Sequence, residues 1–192
     1  MKVTETSLPG VFLVEPDVFG DARGWFMESW SARKLAEFGI NNEWVQDNHS
    51  YSAEKGILRG LHYQLNPSCQ AKIVRATRGT IFDVAVDIRK GSPTFGKYVA
   101  VELTEDNHRQ LFVPRGFAHG FSVLSEEVIF QYKCDNLYAP ESEGAIAWND
   151  PDVGIDWQIP AEDVLLSAKD SAHPMLKDAT DLFDYNVDYY AE

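Results

Sequence analysis

The sequence predicts an all-β protein, an antiparallel barrel or double-sheet jelly roll with a few short helices. Between residues 57 and 136 the chain is a series of short apolar runs, each ended by Gly, Pro, Asn or Asp. Such spacing is typical of antiparallel strands. The run 80–89 alternates apolar and polar side chains, which predicts one face toward the core and one wetter face. A length of 192 residues fits one domain, which we expect to span residues 1–192.

The first fifty residues are predicted to form extended segments at 11–14 and 25–30, separated by a turn at 20–24. A short helix is expected at 31–38, because Ser31 is a favoured N-cap and Gly39 a favoured stop. Apolar runs then predict strands at 57–64, 71–77, 80–89, 97–103, 109–113, 117–124 and 127–136. Tyr132 shares a strand face with Phe130 and should point into the barrel. Residues 173–192 are expected to form an acidic, aromatic tail, packed or partly mobile.

The charge balance limits the partners that the chain is expected to bind. With 30 acidic and 17 basic residues the net charge is −13, which argues against nucleic acid and against an anionic membrane surface. Because no apolar run is long enough to span a membrane and no secretory start is visible, we expect a cytoplasmic protein with reduced cysteines. A local basic patch would still hold a phosphate, and its candidates are Arg23, Arg59, Lys72 and Arg75.

Two histidine motifs lie in separate strands of the predicted barrel. Gly56 is followed after five residues by His62 and then Gln64, and residues 114–119 read Pro-Arg-Gly-Phe-Ala-His119. These resemble the paired motifs of the cupin superfamily, which predicts a cupin-type jelly-roll barrel. Gln64 stands where a metal-binding cupin has a second histidine, and Ser68 or Cys69 replaces the usual glutamate. Two histidines are too few for a transition metal, so we expect no metal, and a free histidine can move protons.

Several further segments resemble one metal-free cupin family, the dTDP-4-dehydrorhamnose 3,5-epimerases. They cover about residues 8–176: the runs 21–28, 46–48, 58–64, 113–121 and 166–170, with Lys72, Tyr132 and Tyr138. So many motifs in order are specific. The resemblance implies a cofactor-free isomerase that inverts C3 and C5 of dTDP-4-dehydro-6-deoxy-α-D-glucose through an enolate, giving dTDP-4-dehydro-β-L-rhamnose for polysaccharide biosynthesis. It also implies a homodimer, in which strands of residues 1–50 pack on the partner.

The same resemblance assigns four catalytic residues. His62 is the expected base, since the reference pKa of histidine lies near neutrality, and Asp170 is the expected carboxylate that orients it. Tyr132 is the expected acid, and a nearby lysine is predicted to lower its pKa. Lys72 is expected beside the C4 oxygen, where its charge would stabilise the enolate.

The remaining matches concern the small-molecule substrate. The resemblance implies that Arg23 and Arg59 contact the diphosphate and that Tyr138 stacks on thymine. Other expected substrate contacts are Phe26, Glu28, Gln46, Asp47, Asn48, Lys72, His119, Glu143 and Lys169. Strict alternation puts Arg59 and His62 on opposite strand faces, so we predict either a bulge near Gly60 or a ligand that wraps over the strand edge.

Three other functions stay open from the sequence. Some relatives invert only C3 or only C5 of a related dTDP-4-keto-deoxysugar, and Tyr132 favours the double reaction over these. A metal-dependent cupin, such as a dioxygenase or sugar isomerase, is disfavoured by Gln64. A non-catalytic sugar-binding jelly roll is disfavoured because binding alone does not need a base and an acid together.

Overall fold

The computed structural model describes residues 1–191 and is built almost wholly from β-strands. In chain order the strands are β1 Lys2–Glu5, β2 Phe12–Glu15, β3 Val18–Asp21, β4 Gly24–Met27, β5 Gln46–Ser52, β6 Leu58–Gln64, β7 Lys72–Arg78, β8 Thr80–Asp87, β9 Arg89–Lys90, β10 Tyr98–Thr104, β11 Gln110–Val113, β12 Phe117–Val123, β13 Val128–Cys134, β14 Glu143–Ala145 and β15 Phe183–Asp184. One α-helix, α1, covers Ala32–Ala36, and short 3₁₀ helices lie at Pro140–Ser142, Ala161–Asp163, Asp170–Ala172 and Leu176–Asp178. None of these helices is long and apolar enough to cross a membrane.

Two antiparallel sheets form the body of the fold. A six-stranded sheet has the order β1-β2-β11-β7-β13-β5, and a five-stranded sheet has the order β10-β8-β12-β6-β14. The hairpin β3-β4 stands apart from both sheets, and β15 pairs with β9 in parallel. This architecture confirms the predicted all-β, cupin-type jelly roll.

The two sheets enclose an apolar core. Val74, Leu111, Phe121 and Phe130, from β7, β11, β12 and β13, belong to one buried cluster. The pair Phe121 and Phe130 has ring centroids 4.4 Å apart, within the favourable range for aromatic contacts. This cluster fills one part of the barrel, and Phe121 and Phe130 also line the polar cavity described below.

The prediction that β8 has a wetter face is wrong. Asp83 and Asp87 are fully buried on the face that points into the barrel, as is Ala85. The apolar face, with Val84 and Val86, packs instead under segments from the last fifty residues of the chain. The alternating pattern located this strand correctly, but both of its faces are covered by other parts of the chain. The polar residues of β8 therefore indicate buried, paired charges and not a face exposed to solvent.

Most predicted boundaries agree with the structure to within one or two residues, with some exceptions. The helix is shorter than expected, and the Ser31 side chain makes no capping hydrogen bond although the residue occupies the N-cap. The extended segment 25–30 ends at Met27, and the run 80–89 divides into β8 and β9. The tail packs against the barrel, where Arg115 donates to the Tyr189 carbonyl at 2.6 Å. Cys69 and Cys134 are free and buried, as predicted.

A bulge in β6 determines which residues face the cavity. On β12, His119 pairs with His62 and Phe121 pairs with Arg59, so residues 60 and 61 of β6 stand opposite the single residue Gly120. The extra residue resets the alternation and turns Arg59 and His62 into the same cavity. The bulge predicted near Gly60 is therefore confirmed.

Gly60 makes this bulge possible. Its φ is +130°, and a Cβ atom there would lie 2.6 Å from the Gly120 Cα and 2.9 Å from the His119 carbonyl oxygen. Both contacts are shorter than real Cβ atoms tolerate, and both neighbours are backbone. A side chain at this position would push β6 and β12 apart, directly beside the paired histidines.

We expect Gly60→Ala to destabilise the fold much more than Gly24→Ala. Gly24 has a nearly identical φ of +133° but open space around its missing side chain. The control therefore carries only the backbone cost of about 1–3 kcal/mol, whereas Gly60→Ala adds about 1–3 kcal/mol for forcing the strands apart. Urea unfolding at fixed protein concentration measures both. Equal losses in the two variants would show that the strand contact is not the constraint.

Candidate active site

A polar cavity of about 330 Å³ lies between the two sheets. Strands β5, β6, β7, β12 and β13 and the turn at residues 167–170 build its wall. Its lining residues are Ser50, Arg59, His62, Lys72, His119, Phe121, Phe130, Tyr132, Ser167, Lys169 and Asp170. All four residues predicted to be catalytic share this cavity with four of those predicted to bind substrate, Lys72 being in both sets.

His62 and Asp170 form a hydrogen-bonded pair at the edge of this cavity. The His62 Nε2 lies 2.5 Å from Asp170 Oδ1, and the Ser167 hydroxyl donates to Asp170 Oδ2 at 2.8 Å. Burial by itself would raise the pKa of Asp170, but the hydrogen bonds from His62 and Ser167 outweigh it and lower the pKa to about 2. The carboxylate is thus ionised at neutral pH.

The carboxylate determines which ring nitrogen of His62 can act as a base. An ionised Asp170 only accepts hydrogen bonds, so the neutral imidazole must carry its proton on Nε2. Nδ1 is then left with a free lone pair. Proton uptake at Nδ1 gives an imidazolium whose charge Asp170 stabilises, which is the role of the carboxylate in a catalytic triad.

Lys72 and Tyr132 lie together in the cavity. The Lys72 Nζ is 5.9 Å from the centre of the Tyr132 ring. Burial lowers the pKa of Lys72, while Cys134, Asp83 and Glu143 oppose that shift. A lysine ammonium that faces a cavity gains from a developing negative charge on a bound ligand.

The prediction that a lysine lowers the pKa of Tyr132 is wrong. Burial is the largest effect and raises the pKa of this phenol, and the neighbouring Cys134 raises it further. Tyr132 is therefore fully protonated at neutral pH. A protonated phenol is the form that an acid needs, so the correction is compatible with the predicted role. Tyr132 also faces the barrel interior beside Phe130, with ring centroids 5.5 Å apart, as predicted.

His119 belongs to a second, buried pair. Its Nε2 lies 3.0 Å from both carboxylate oxygens of Asp83. Burial raises the pKa of Asp83, and the contact with His119 opposes that rise. This pair holds the His119 ring still, nearly parallel to Phe130 at a centroid distance of 6.2 Å.

Gln64, at the position of the missing cupin ligand, is occupied elsewhere. Its side-chain amide donates to the carbonyls of Ser68 and Leu137 and accepts from the Ala139 N–H. The side chain thus ties two loops together outside the cavity lining.

Several predicted substrate residues gather at the rim of the cavity. The Gln46 side chain donates to Asn48 at 3.0 Å and accepts from the Tyr138 N–H at 2.9 Å. Across the opening, Glu143 accepts from Lys169 at 2.5 Å. The Tyr138 hydroxyl also reaches Glu143, at 3.3 Å. The rim thus presents an exposed aromatic ring, amides and charged groups beside the catalytic pair.

Other predicted residues are not brought to the cavity within one chain. Arg23 and Phe26 lie on the hairpin β3-β4, and Arg23 pairs with Asp21 at 2.5 Å. Glu28 pairs with Lys34 at 2.8 Å. The other two residues point to the outer face of the six-stranded sheet: Asp47 contacts Lys133, and Arg75 donates to Gln131.

The structure also adds residues that sequence reasoning missed. Asp83 fixes His119, Ser167 fixes Asp170, and His173 lies with its Nε2 3.4 Å from Asp170 Oδ1. Asp83 had a signal, since a carboxylate in an otherwise apolar strand suggests a buried partner. Ser167 lies inside the matched run 166–170. His173 lies in a segment without periodicity, so no pattern marked it.

Comparisons with known proteins agree on one family. The family model described as dTDP-4-dehydrorhamnose 3,5-epimerase matches residues 5–178. The chain is 54% identical to the dTDP-4-dehydrorhamnose 3,5-epimerase of Shigella flexneri over 171 residues, which is 88% of this chain and 93% of the relative.

Two crystal structures show the likeness in three dimensions. The dTDP-4-dehydrorhamnose 3,5-epimerase from Elizabethkingia anophelis NUHP1 is 50% identical, covers 93% of this chain and 97% of its own, and has a TM-score of 0.88. The dTDP-6-deoxy-D-glucose-3,5-epimerase from Legionella pneumophila Philadelphia 1, in complex with dTDP-4-keto-L-rhamnose, is 46% identical with a TM-score of 0.92. It covers 97% of this chain and 99% of its own.

Proposed function

This chain belongs to the dTDP-4-dehydrorhamnose 3,5-epimerase family, and from that premise we propose how its cavity performs the reaction. The enzyme is an isomerase that converts dTDP-4-dehydro-6-deoxy-α-D-glucose to dTDP-4-dehydro-β-L-rhamnose by inverting C3 and C5. One observation carries the proposal: an oriented imidazole, a protonated phenol and a lysine line the same cavity. Those are the groups that an epimerisation next to a carbonyl requires.

Proton removal is assigned to His62. The C4 carbonyl acidifies the C–H bonds at C3 and C5, because the electron pair left behind spreads onto the carbonyl oxygen as an enolate. Nδ1 of His62 takes the proton, and the ionised Asp170 stabilises the imidazolium through Nε2.

Charge stabilisation and proton return are assigned to Lys72 and Tyr132. The ammonium of Lys72 donates a hydrogen bond that strengthens as negative charge grows on the C4 oxygen. Tyr132 delivers its phenolic proton to the opposite face of the same carbon, which inverts it. The phenolate then regains a proton while His62 releases one, so each inversion is balanced without a redox cofactor.

The rim is assigned to the nucleotide. Arg59 lines the cavity and its guanidinium suits diphosphate oxygens. Tyr138 is exposed, with its ring free to stack on thymine, beside Gln46, Asn48, Glu143 and Lys169. His119, held by Asp83, would contact the sugar from the cavity wall.

We further propose that a second copy of the chain completes this site. Arg23, Phe26 and Glu28 lie in or just after the hairpin β3-β4, away from the cavity of their own chain. The hairpin exposes Phe19, Trp25 and Phe26, with relative exposures of 64%, 60% and 71%. Apolar side chains this exposed favour burial against a partner. A homodimer in which each hairpin reaches the other cavity would cover them and supply the missing arginine.

A mixed-dimer experiment tests this arrangement. The variants Arg23→Ala and His62→Ala are each expected to be strongly impaired, Arg23→Ala by about 10–100-fold because it loses a charged hydrogen bond. If Arg23 acts across the interface, a dimer of the two variants contains one intact site and one doubly damaged site. Co-expression in equal amounts then restores about a quarter of wild-type activity, by random pairing.

Co-expression without recovery would place Arg23 in the site of its own chain. Gel filtration of each variant provides the control, because both must assemble as the wild type does.

We also propose a cytoplasmic location, which the two free, buried cysteines support, since they suit a reducing compartment.

The reaction itself is tested by proton exchange. Incubation of the purified protein with dTDP-4-keto-6-deoxyglucose in heavy water should place deuterium at both C3 and C5, read by NMR. Uptake at only one carbon would assign the chain to the single-site epimerases of related sugars. Uptake at neither carbon would reject the epimerase proposal.

A further inference from the structure

A third side chain, which is not among the residues that line the substrate cavity, joins the pair of His62 and Asp170. His173 has its Nε2 3.4 Å from Asp170 Oδ1, and its ring is perpendicular to that of His62 at a centroid distance of 5.6 Å. The ligating atoms of His62, Asp170 and His173 all lie within 4.8 Å of one another. The proposed reaction assigns no role to His173.

We propose that these three side chains form a binding site for a divalent transition-metal ion, Zn²⁺ above all, that switches the enzyme off. Two imidazoles and one carboxylate, with a fourth position open to water, are a ligand set that zinc takes in proteins. Zinc–ligand bonds of about 2.0–2.2 Å place tetrahedral ligand atoms roughly 3.3 Å apart. The 3.4 Å separation of His173 and Asp170 already has this value.

The surroundings suit an ion at this position. Ser167 donates to Asp170 Oδ2, which leaves Oδ1 as the oxygen facing both histidines. Such a second partner orients a carboxylate ligand toward its metal. The His62 Nε2 needs to move only from its hydrogen bond of 2.5 Å to a ligand separation, with the ion replacing the shared proton.

This site differs from the cupin metal site that the sequence has lost. The cupin site would use His62 together with residue 64 and His119, but Gln64 is bound to loop carbonyls and His119 is bound to Asp83. The proposed site instead joins His62 to Asp170 and His173.

Metal binding there would stop the reaction through the tautomer of His62. Coordination needs the lone pair of Nε2, so the neutral ring must carry its proton on Nδ1. Nδ1 is the nitrogen that must be free to take the substrate proton. A bound ion therefore moves the ring proton of neutral His62 from Nε2, where Asp170 otherwise holds it, to Nδ1. Inhibition rests on the proposed role of His62, whereas binding of the ion does not.

The experiment uses full-length protein freed of metal with EDTA and of any histidine tag. Calorimetric titration with ZnCl₂ should saturate at one ion per chain. Co²⁺ in place of Zn²⁺ should give the visible absorption of a tetrahedral site. His173→Ala should lower the affinity for Zn²⁺ and for Co²⁺ at least about tenfold, since even outer partners of a metal ligand contribute about 10–100-fold to affinity. His49→Gln, which alters an exposed histidine on β5, is the matched control and should bind as the wild type does.

Activity gives a second, separate readout. Zn²⁺ should inhibit wild-type deuterium uptake at the concentration at which it binds, and EDTA should restore it. His173→Ala should need at least about ten times more Zn²⁺. Equal Zn²⁺ affinity in His173→Ala and wild type, or no binding by either, would overturn the site. Normal binding in a protein without epimerase activity would instead reject the proposed function and leave the metal site standing.

Discussion

Replacement of His62 by alanine is expected to abolish deuterium uptake at both C3 and C5 and to lower kcat by about 10²–10⁴-fold or more. General base catalysis contributes a factor of this size. The remaining groups offer no substitute, because Lys72 is needed as a cation, Tyr132 as an acid, and His119 is hydrogen-bonded to Asp83. NMR in heavy water measures uptake at each carbon separately, and coupled turnover measures kcat.

Two controls make the His62 result specific. His49→Gln removes an exposed imidazole from β5 and should leave uptake at both carbons intact. Thermal unfolding of His62→Ala should show a folded protein, because the side chain lies at a cavity wall and not in the apolar core. Wild-type uptake in a folded His62→Ala protein would require another base and would refute the assignment.

The strands of the barrel were predictable because their side chains alternate or are uniformly apolar. Strand β5 was not predicted, since its inward residues Asn48, Ser50 and Ser52 are polar. These side chains line or approach the polar cavity and not the apolar core. The strand therefore lacks the alternation of apolar residues by which the other strands were predicted. The covered outer face of β8 was also not predictable, because the segments that cover it come more than fifty residues later in the chain.

The site residues that lie on strands were easier to predict than those on turns and on the hairpin. His62 and Lys72 lie on strands that the sequence predicted, and the family resemblance assigned their roles. Asp170 is held by a short turn around Ser167, which sequence patterns do not orient. His173 follows that turn without any motif. Arg23 lies on a hairpin outside the barrel, so no single chain, in sequence or in structure, brings it to the cavity.

Substitution of Tyr132 by phenylalanine separates proton removal from inversion. His62 can still remove a proton and return a deuteron to the same face, so the substrate should continue to exchange. Inverted product should fall by about 10²–10⁴-fold, the contribution of a positioned acid. The ring packing against Phe130 is retained, so folding should be unaffected.

The two carbons should respond unequally to Tyr132→Phe. C3 and C5 lie on opposite sides of the C4 carbonyl, so one hydroxyl in a fixed position cannot be equally close to both. The carbon nearer to water or to another donor should retain more inversion. Tyr51→Phe removes an exposed hydroxyl that binds Glu127 at 2.8 Å and should change neither carbon, which makes it the matched control. Undiminished inversion at both carbons in Tyr132→Phe would show that a different group is the acid, because the phenylalanine side chain has no acidic proton.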